Sequence, residues 1–185
     1  MQLVFKMLTI GLLMVGVGLG QEKLTVARTV EVAQTQRAIN TIVPISLPVA
    51  AMVWTKADGT KTGQVKGFDS KQQILTLGGE SIQLSKINKV TFDRKALAYR
   101  SDGSIIIRGE DNAKAKQKSW QNVSTSAFRL KDSERGQAQV DLNGVIKPIE
   151  LRGIQSVAVK SVYVVDEIQF QGAGKMTIRV MPSDR

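Results

Sequence analysis

Short runs of alternating apolar and polar residues fill most of the chain after residue 49. A period of two is typical of strands with one buried face, and Gly-Gly, Asp-Gly and Asn-Gly steps separate the runs as turns do. No long stretch of the sequence carries the apolar stripe of a helix. The pattern therefore predicts a mainly β fold. The clearest alternating positions are Ile74, Ile82, Leu84, Val90, Phe92, Ala138, Val140, Leu142, Ile168, Phe170, Met176, Ile178 and Val180.

These runs fall into two segments. Residues 49–109 contain closely spaced strands and turns, which predict a small, barrel-like, tightly curled sheet. Residues 120–185 predict a second β segment, either a sandwich or a hairpin sheet. Between the two segments, residues 110–119 are polar and charged, and we interpret them as a linker.

Two details of the second segment lead to specific expectations. Residues 149–152 alternate apolar and charged side chains, which predicts a strand. In the final hairpin, Ile178 should face the core and Thr177 should face solvent, because neighbouring side chains of a strand point to opposite sides.

The N-terminus has the pattern of a secretory signal. Lys6 precedes an apolar run from Met7 to Gly20, and this run is short for a bilayer span of about 20 residues. We interpret residues 1–27 as a signal peptide, or as an anchor if they are not cleaved, and residues 28–48 as a linker. These assignments predict an exported protein of the periplasm or the exterior, or one anchored in the inner membrane by the uncleaved segment.

The composition excludes most common types of catalytic site and metal site. The chain has no Cys and no His, so it lacks disulfides, thiolate nucleophiles, imidazole ligands and His-activated nucleophiles. Its paired carboxylates sit in charged stretches or at adjacent strand positions, which face opposite ways. We therefore expect no enzymatic activity, no catalytic residue, no metal site and no cofactor. The hydrophobic content of 42% is sufficient for a packed core.

Residues 59–69, with the sequence GTKTGQVKGFD, and the strands expected at 74–77 and 82–92 resemble the strongly bent sheet of Sm-like small β-barrels. The resemblance rests on glycine spacing, the Phe-Asp pair and strand order. It implies a small barrel, in which Asp69 matches the aspartate of the Sm RNA pocket. Gln73 stands where that family has Asn, and the second Sm motif is not recognisable, so only the barrel topology is implied. The whole layout is also similar to uncharacterised exported proteins of cyanobacteria, which implies no activity.

A candidate binding site lies where the charged linker meets the second segment. Lys114, Lys116 and Lys118 would share one face of an extended chain, and Trp120 follows them. A cationic strip beside an aromatic ring can contact phosphates, bases or sugar acids. The other interpretation is a charged linker that ends where a core tryptophan begins. For both Trp54 and Trp120, the core is the favoured location.

The formal charge of +10 favours an anionic partner, and it is spread along the chain. The leading hypothesis is an exported, non-enzymatic β protein of the cell envelope that binds an anionic polymer or an envelope protein through strand edges and basic faces. One alternative is a carbohydrate-binding module with an aromatic platform in the second segment. Another, the least favoured, is a nucleic-acid-binding Sm-like protein, which would need the N-terminal run to be structural. Membrane contact is expected only through an uncleaved N-terminal segment.

Overall fold

The computed structural model describes residues 40–57, 59–106, 117–160 and 162–183. By its internal contacts the chain divides into two compact units, Met1–Gln36 and Arg37–Arg185, and all described residues belong to the second. The expected signal or anchor at 1–27 lies outside the described residues. So does most of the charged linker, including Lys114 and Lys116.

The described part of the chain is mainly β, with 54% strand and one α-helix, which confirms the predicted fold class. Short 3₁₀ helices at Leu84–Lys86 and Thr125–Ala127 each lead directly into a strand. The remaining elements, in chain order, are β1 (Ile42–Ser46), β2 (Ala51–Thr55), β3 (Thr60–Gly63), β4 (Val65–Asp69), β5 (Ile74–Leu77), β6 (Glu80–Gln83), β7 (Ile87–Phe92), β8 (Lys118–Ser124), β9 (Phe128–Asp132), β10 (Gln137–Asp141), α1 (Pro148–Lys160), β11 (Tyr163–Gly172) and β12 (Lys175–Pro182).

The larger sheet has nine strands and branches at the long strand β11. The start of β11 pairs in parallel with β1, and its later part pairs antiparallel with β7. Strand β12 pairs with β11 and carries β8 on its other side. Beyond β7 lie β2 and β3, and beyond β1 lie β10 and β9. This sheet curls into a half-barrel, so the curled sheet expected from the sequence is confirmed.

A second sheet contains β4, β5 and β6 and belongs to the same core as the first. Val65 and Leu75 of the small sheet join one buried cluster with Val90 and Val140 of the large one. Moreover, β7 comes from the first predicted segment and β11 from the second, and the two strands pair. The two segments recognised in the sequence therefore share both a sheet and a core.

Strand β1 lies within residues 28–48, which the sequence assigned to a linker. It pairs with β10 and β11, and it buries Val43 and Ile45. Directly after it, the Leu47 N–H donates to the Gly136 carbonyl at 2.7 Å. Gly136 has a φ of +62°, and a Cβ added there would lie 2.1 Å from the Leu47 oxygen. This part of the expected linker is thus a central strand, held at its end by a position that admits only glycine.

Residues 148–160 form helix α1, so the strand predicted at 149–152 is wrong. Pro148 begins the helix, where its missing N–H removes no helical hydrogen bond. Leu151 and Ile154 are buried three positions apart, whereas Ile149 is 78% exposed. The apolar stripe of this helix is narrow. In the sequence it is therefore hard to distinguish from the alternation of apolar and charged residues at 149–152.

The predicted C-terminal hairpin is confirmed as β11 and β12. Ile178 is fully buried, as expected, but Thr177 is also buried, with 8% exposure. The side chain of Gln171 donates to Thr177 Oγ1 at 2.8 Å. The expectation that Thr177 faces solvent is therefore wrong, and its hydroxyl is satisfied by a neighbouring amide instead of water.

Candidate functional site

An open groove of about 650 Å³ runs between strand β8 and helix α1. Its polar lining comes mostly from the strand, and its apolar lining comes mostly from the helix and the turn before it. A volume of this size lies within the range of roughly 300–1,000 Å³ found for ligand sites. The lining residues are Lys118, Ser119, Trp120, Gln121, Asn122, Val145, Ile146, Glu150, Gly153 and Ile154.

Strand β8 forms one wall as an edge strand. In the described part of the chain it has β12 as its one sheet partner, and residues 118–122 line the groove without a break. A bulge interrupts the pairing between Trp120 and Val123, and Asn122 within it has a φ of 58°. Lysines and bulges are common devices that keep edge strands from pairing indiscriminately. The longest stretch of β8 with uninterrupted pairing is its first part, from Lys118 to Trp120.

Helix α1 forms the opposite wall and is held firmly in place. Leu151 and Ile154 bury its inner side, and the Gln155 amide donates to the carbonyls of Asn40 and Ile42 at 2.8 and 3.0 Å. Gly153 faces open space, since a Cβ built there meets no atom within 4 Å. The groove consequently has a helical wall that is attached to the sheet, with room beside one helical position.

The electrostatics of the groove are mixed. Lys118 and Glu150 bring opposite charges to it, and neither belongs to an ion pair within the described residues. Glu150 lies in the first turn of α1, where a negative charge interacts favourably with the helix dipole. Both charges thus remain available to a ligand.

Beneath the groove lies a pair of buried aromatic side chains. Trp120 is 2% exposed, and its ring meets Tyr163 edge to face with centroids 5.5 Å apart. The Trp120 indole N–H and the Tyr163 hydroxyl have no hydrogen-bond partner among the described residues. Burial also raises the pKa of the Tyr163 phenol, because the anion would lose its hydration.

The structure brings together two of the four residues that the sequence singled out. Lys118 is exposed at the rim, and Trp120 is buried in the wall of the same groove, whereas Lys114 and Lys116 lie outside the described residues. The core interpretation is confirmed for Trp120 and wrong for Trp54, which is 40% exposed. Because Trp120 is buried, it forms no exposed platform in the second segment.

Sequence reasoning missed the helical wall and the exposed amides of the strand. Val145, Ile146 and Gly153 line the groove only because α1 packs against the sheet. Gln121 and Asn122 also line the groove from β8. In the sequence, the one feature that could have indicated them is that two amide side chains directly follow Trp120. Lys118 and Ser119, which the sequence placed in the 110–119 linker, begin strand β8.

Several carboxylates in the described residues bond to turns or belong to ion pairs. Asp69, which the Sm resemblance places at a pocket, accepts from the backbone N–H groups of Lys71 and Gln72. Asp166 is held by Arg94 Nε at 2.8 Å, and Glu167 lies 3.3 Å from Arg179. No group of three or more potential metal ligands occurs within the described ranges. No helix in those ranges is long and apolar enough to span a membrane.

Comparison with known proteins finds no family model, no curated protein and no solved structure that matches this chain.

Proposed function

We propose that this chain is a non-enzymatic binding protein of the cell envelope that holds an extended segment of a partner protein in the groove between β8 and α1. One observation carries the proposal. Five consecutive residues of an edge strand and one side of a helix line the same open groove. Peptide-binding domains that add a strand to a sheet use this combination of a free strand edge and adjacent side-chain pockets.

The strand wall supplies backbone recognition. The first part of β8, from Lys118 to Trp120, pairs regularly with β12 on one side, which leaves backbone groups on the other side to pair with an incoming chain. The exposed amides of Gln121 and Asn122 extend the polar lining through the bulge. Such groups suit a peptide backbone, which offers both donors and acceptors.

The helical wall supplies contacts for the partner's side chains. Val145 and Ile146, which are half-buried, give an apolar surface, and Gly153 leaves space beside it. Lys118 and Glu150 balance each other in the lining of the groove, so the net charge of +10 for the whole chain is what favours a partner segment that is acidic overall, because long-range attraction speeds and orients encounter. The expected occupant is thus an extended, acidic segment with apolar side chains on one face.

The proposed location in the envelope rests on the N-terminal pattern of Lys6 followed by an apolar run. N-terminal sequencing of the protein from its native cells tests it. A mature chain that begins after Gly20 or Ala27 supports export, and an intact Met1 in a soluble cytosolic fraction contradicts it.

Gly153 offers a sharp test of the groove. Gly153→Trp should fill the space beside the helix, whereas Gly153→Ala adds little volume and should stabilise the helix by about 0.5–1 kcal/mol. Short random-sequence peptides displayed on phage are selected on the wild-type protein, and the binding of selected peptides is measured by calorimetry. Peptides should bind wild type and Gly153→Ala but not Gly153→Trp.

Two further outcomes would refute the proposal. If the selected peptides bind Gly153→Trp as well as wild type, the groove is not their site. If N-methylation of successive peptide amides leaves the affinity unchanged, the peptide does not add to β8 as a strand. A concentration-dependent dimer that Gly153→Trp dissociates would instead make a second copy of the chain the occupant of the groove.

A second candidate, carbohydrate binding, is favoured by the exposure of Trp54. Its indole N–H donates to Thr91 Oγ1 at 3.2 Å, and Lys89 Nζ lies 5.3 Å from the ring centre. These contacts fix the ring on the outer side of the sheet, where it could stack on a sugar. A glycan array on which wild type binds and Trp54→Ala does not would favour this function over peptide binding.

A further inference from the structure

We propose that a second, smaller pocket beside the β11–β12 turn binds an oxyanion of the size of phosphate or sulfate. The pocket measures about 120 Å³ and lies against residues of the tight turn and the two 3₁₀ helices. Its lining is separate from that of the β8–α1 groove. The lining residues are Lys56, Gln73, Leu84, Ser85, Ile87, Thr125, Phe170, Gly172, Ala173, Gly174 and Lys175.

The charge of the pocket points to an anion. Lys56 and Lys175 both line it, and its lining contains no Asp or Glu. Within the described residues neither lysine belongs to an ion pair, whereas Lys61 and Lys66 each contact a glutamate. Two lysines that the described residues leave without an ion-pair partner create a positive potential at one small pocket, which a bound anion would offset.

Hydroxyl groups add hydrogen-bond donors of the kind that oxyanions require. Thr125 is 4% exposed, and its Oγ1 accepts a hydrogen bond from the Gln73 amide at 3.2 Å. Since a hydroxyl both accepts and donates, the Thr125 proton remains available to a ligand. Ser85 brings a second hydroxyl to the lining.

The backbone around the pocket is held in unusual conformations. Gln73 has a φ of 56° and Ala173 a φ of 48°, both in a region that side chains other than glycine rarely adopt. The Gln73 amide also donates to the Ser70 carbonyl, and the Thr125 N–H donates to the Gly174 carbonyl at 2.8 Å. Strained residues fixed by surrounding hydrogen bonds are concentrated at functional sites, and here two of them line one pocket.

The volume limits the ligand to a small group. A water molecule's share of liquid volume is about 30 Å³, so the pocket has room for about four waters or for one tetrahedral oxyanion in their place. It is smaller than the roughly 300 Å³ at which sites for larger organic ligands begin. The recognised unit is therefore a phosphate or sulfate group, either free or at the end of a larger molecule.

The test compares two matched double variants. Lys56→Gln with Lys175→Gln removes both pocket charges, and Lys71→Gln with Lys131→Gln removes two exposed lysines that do not line the pocket. Inorganic phosphate is titrated into each protein while backbone amide NMR signals are followed. Wild type and the control should show saturable shifts of the Ala173 and Gly174 amides, and the pocket variant should bind on the order of tenfold more weakly.

A second arm separates free phosphate from a lipid phosphate. Vesicles of phosphatidylglycerol mixed with phosphatidylcholine are sedimented with each protein. Loss of cosedimentation in the pocket variant alone assigns the phosphate to a lipid headgroup, and phosphate binding without vesicle binding assigns the free ion. Phosphate titrations that show no saturation, or that weaken equally in the two double variants, overturn the proposed site.

Discussion

Gly136→Ala should destabilise the protein much more than Gly144→Ala, although both glycines have similar backbone angles. Their φ values are +62° and +69°, so an alanine at either position bears the left-handed penalty of about 1–2 kcal/mol. The surroundings differ. A Cβ at position 144 meets nothing within 4 Å, while one at position 136 would lie 2.1 Å from the backbone oxygen of Leu47. That contact forces the turn away from the end of β1.

The extra cost of Gly136→Ala follows from what the turn holds. Moving it breaks the 2.7 Å hydrogen bond from the Leu47 N–H to the Gly136 carbonyl, and a buried group left unsatisfied costs about 1–3 kcal/mol. Leu47 is 1% exposed, so its displacement also disturbs the core. We therefore expect a loss of about 3–5 kcal/mol for Gly136→Ala, against about 1–2 kcal/mol for Gly144→Ala.

Urea unfolding followed by circular dichroism measures this difference directly. In thermal melts, 1 kcal/mol at this chain length corresponds to roughly 2–4 °C in Tm, so Gly136→Ala should melt about 6–20 °C lower than wild type, well below the Gly144→Ala variant. Equal shifts for the two variants would refute the reasoning. They would mean that Leu47 and the β9–β10 turn are not in contact, and that β1 is not held in the sheet as described.

Four other predictions rest on the core and on the C-terminal hairpin. Tyr163→Phe removes a buried hydroxyl that has no partner among the described residues. The free energy of unfolding should be unchanged or higher by up to about 1 kcal/mol. A loss of more than about 1 kcal/mol in urea unfolding would mean that the hydroxyl is hydrogen-bonded. Because burial raises the folded pKa of Tyr163, titration of its phenol leaves stability unchanged below the unfolded pKa of about 10 and lowers stability as pH rises through the folded value. Tyr163→Phe should therefore flatten the alkaline fall in Tm, and an identical fall would contradict this. Ile178→Asp should cost several kcal/mol, because it places an unpaired charge in the core. Thr177→Asp should also destabilise the protein measurably, since Thr177 is 8% exposed. A Thr177→Asp variant as stable as wild type in thermal melts would mean that Thr177 faces solvent. Ala173→Asn, at a φ of 48° in the β11–β12 turn, should raise stability by about 0.5–1 kcal/mol because Asn tolerates positive φ, and a lower Tm would argue against the turn geometry.

The sequence by itself determined the class of fold and the hairpins formed by neighbouring strands. Turns such as Asp102-Gly103 and the alternation through Ile168 and Ile178 are local signals, because a two-residue period reports burial on one face of a strand regardless of its partner. Tyr99 and Ile105 do bridge across the first of these turns. At the candidate site, the same kind of local chemistry singled out Lys118 and Trp120.

Only the tertiary structure decided which strands pair and which faces are covered. Strand β1 joins the sheet through partners far along the chain. Its buried residues Val43 and Ile45 do alternate, but the run is short and contains Pro44, which argues against a strand in the interior of a sheet. Thr177 is buried although its neighbours in sequence alternate, because coverage of the second face of β12 depends on packing elsewhere. Helix α1 is stabilised by burying Leu151 and Ile154, since packing commonly outweighs intrinsic propensity. The β8–α1 groove exists for the same reason, because its two walls meet only when the strand and the helix pack around one core.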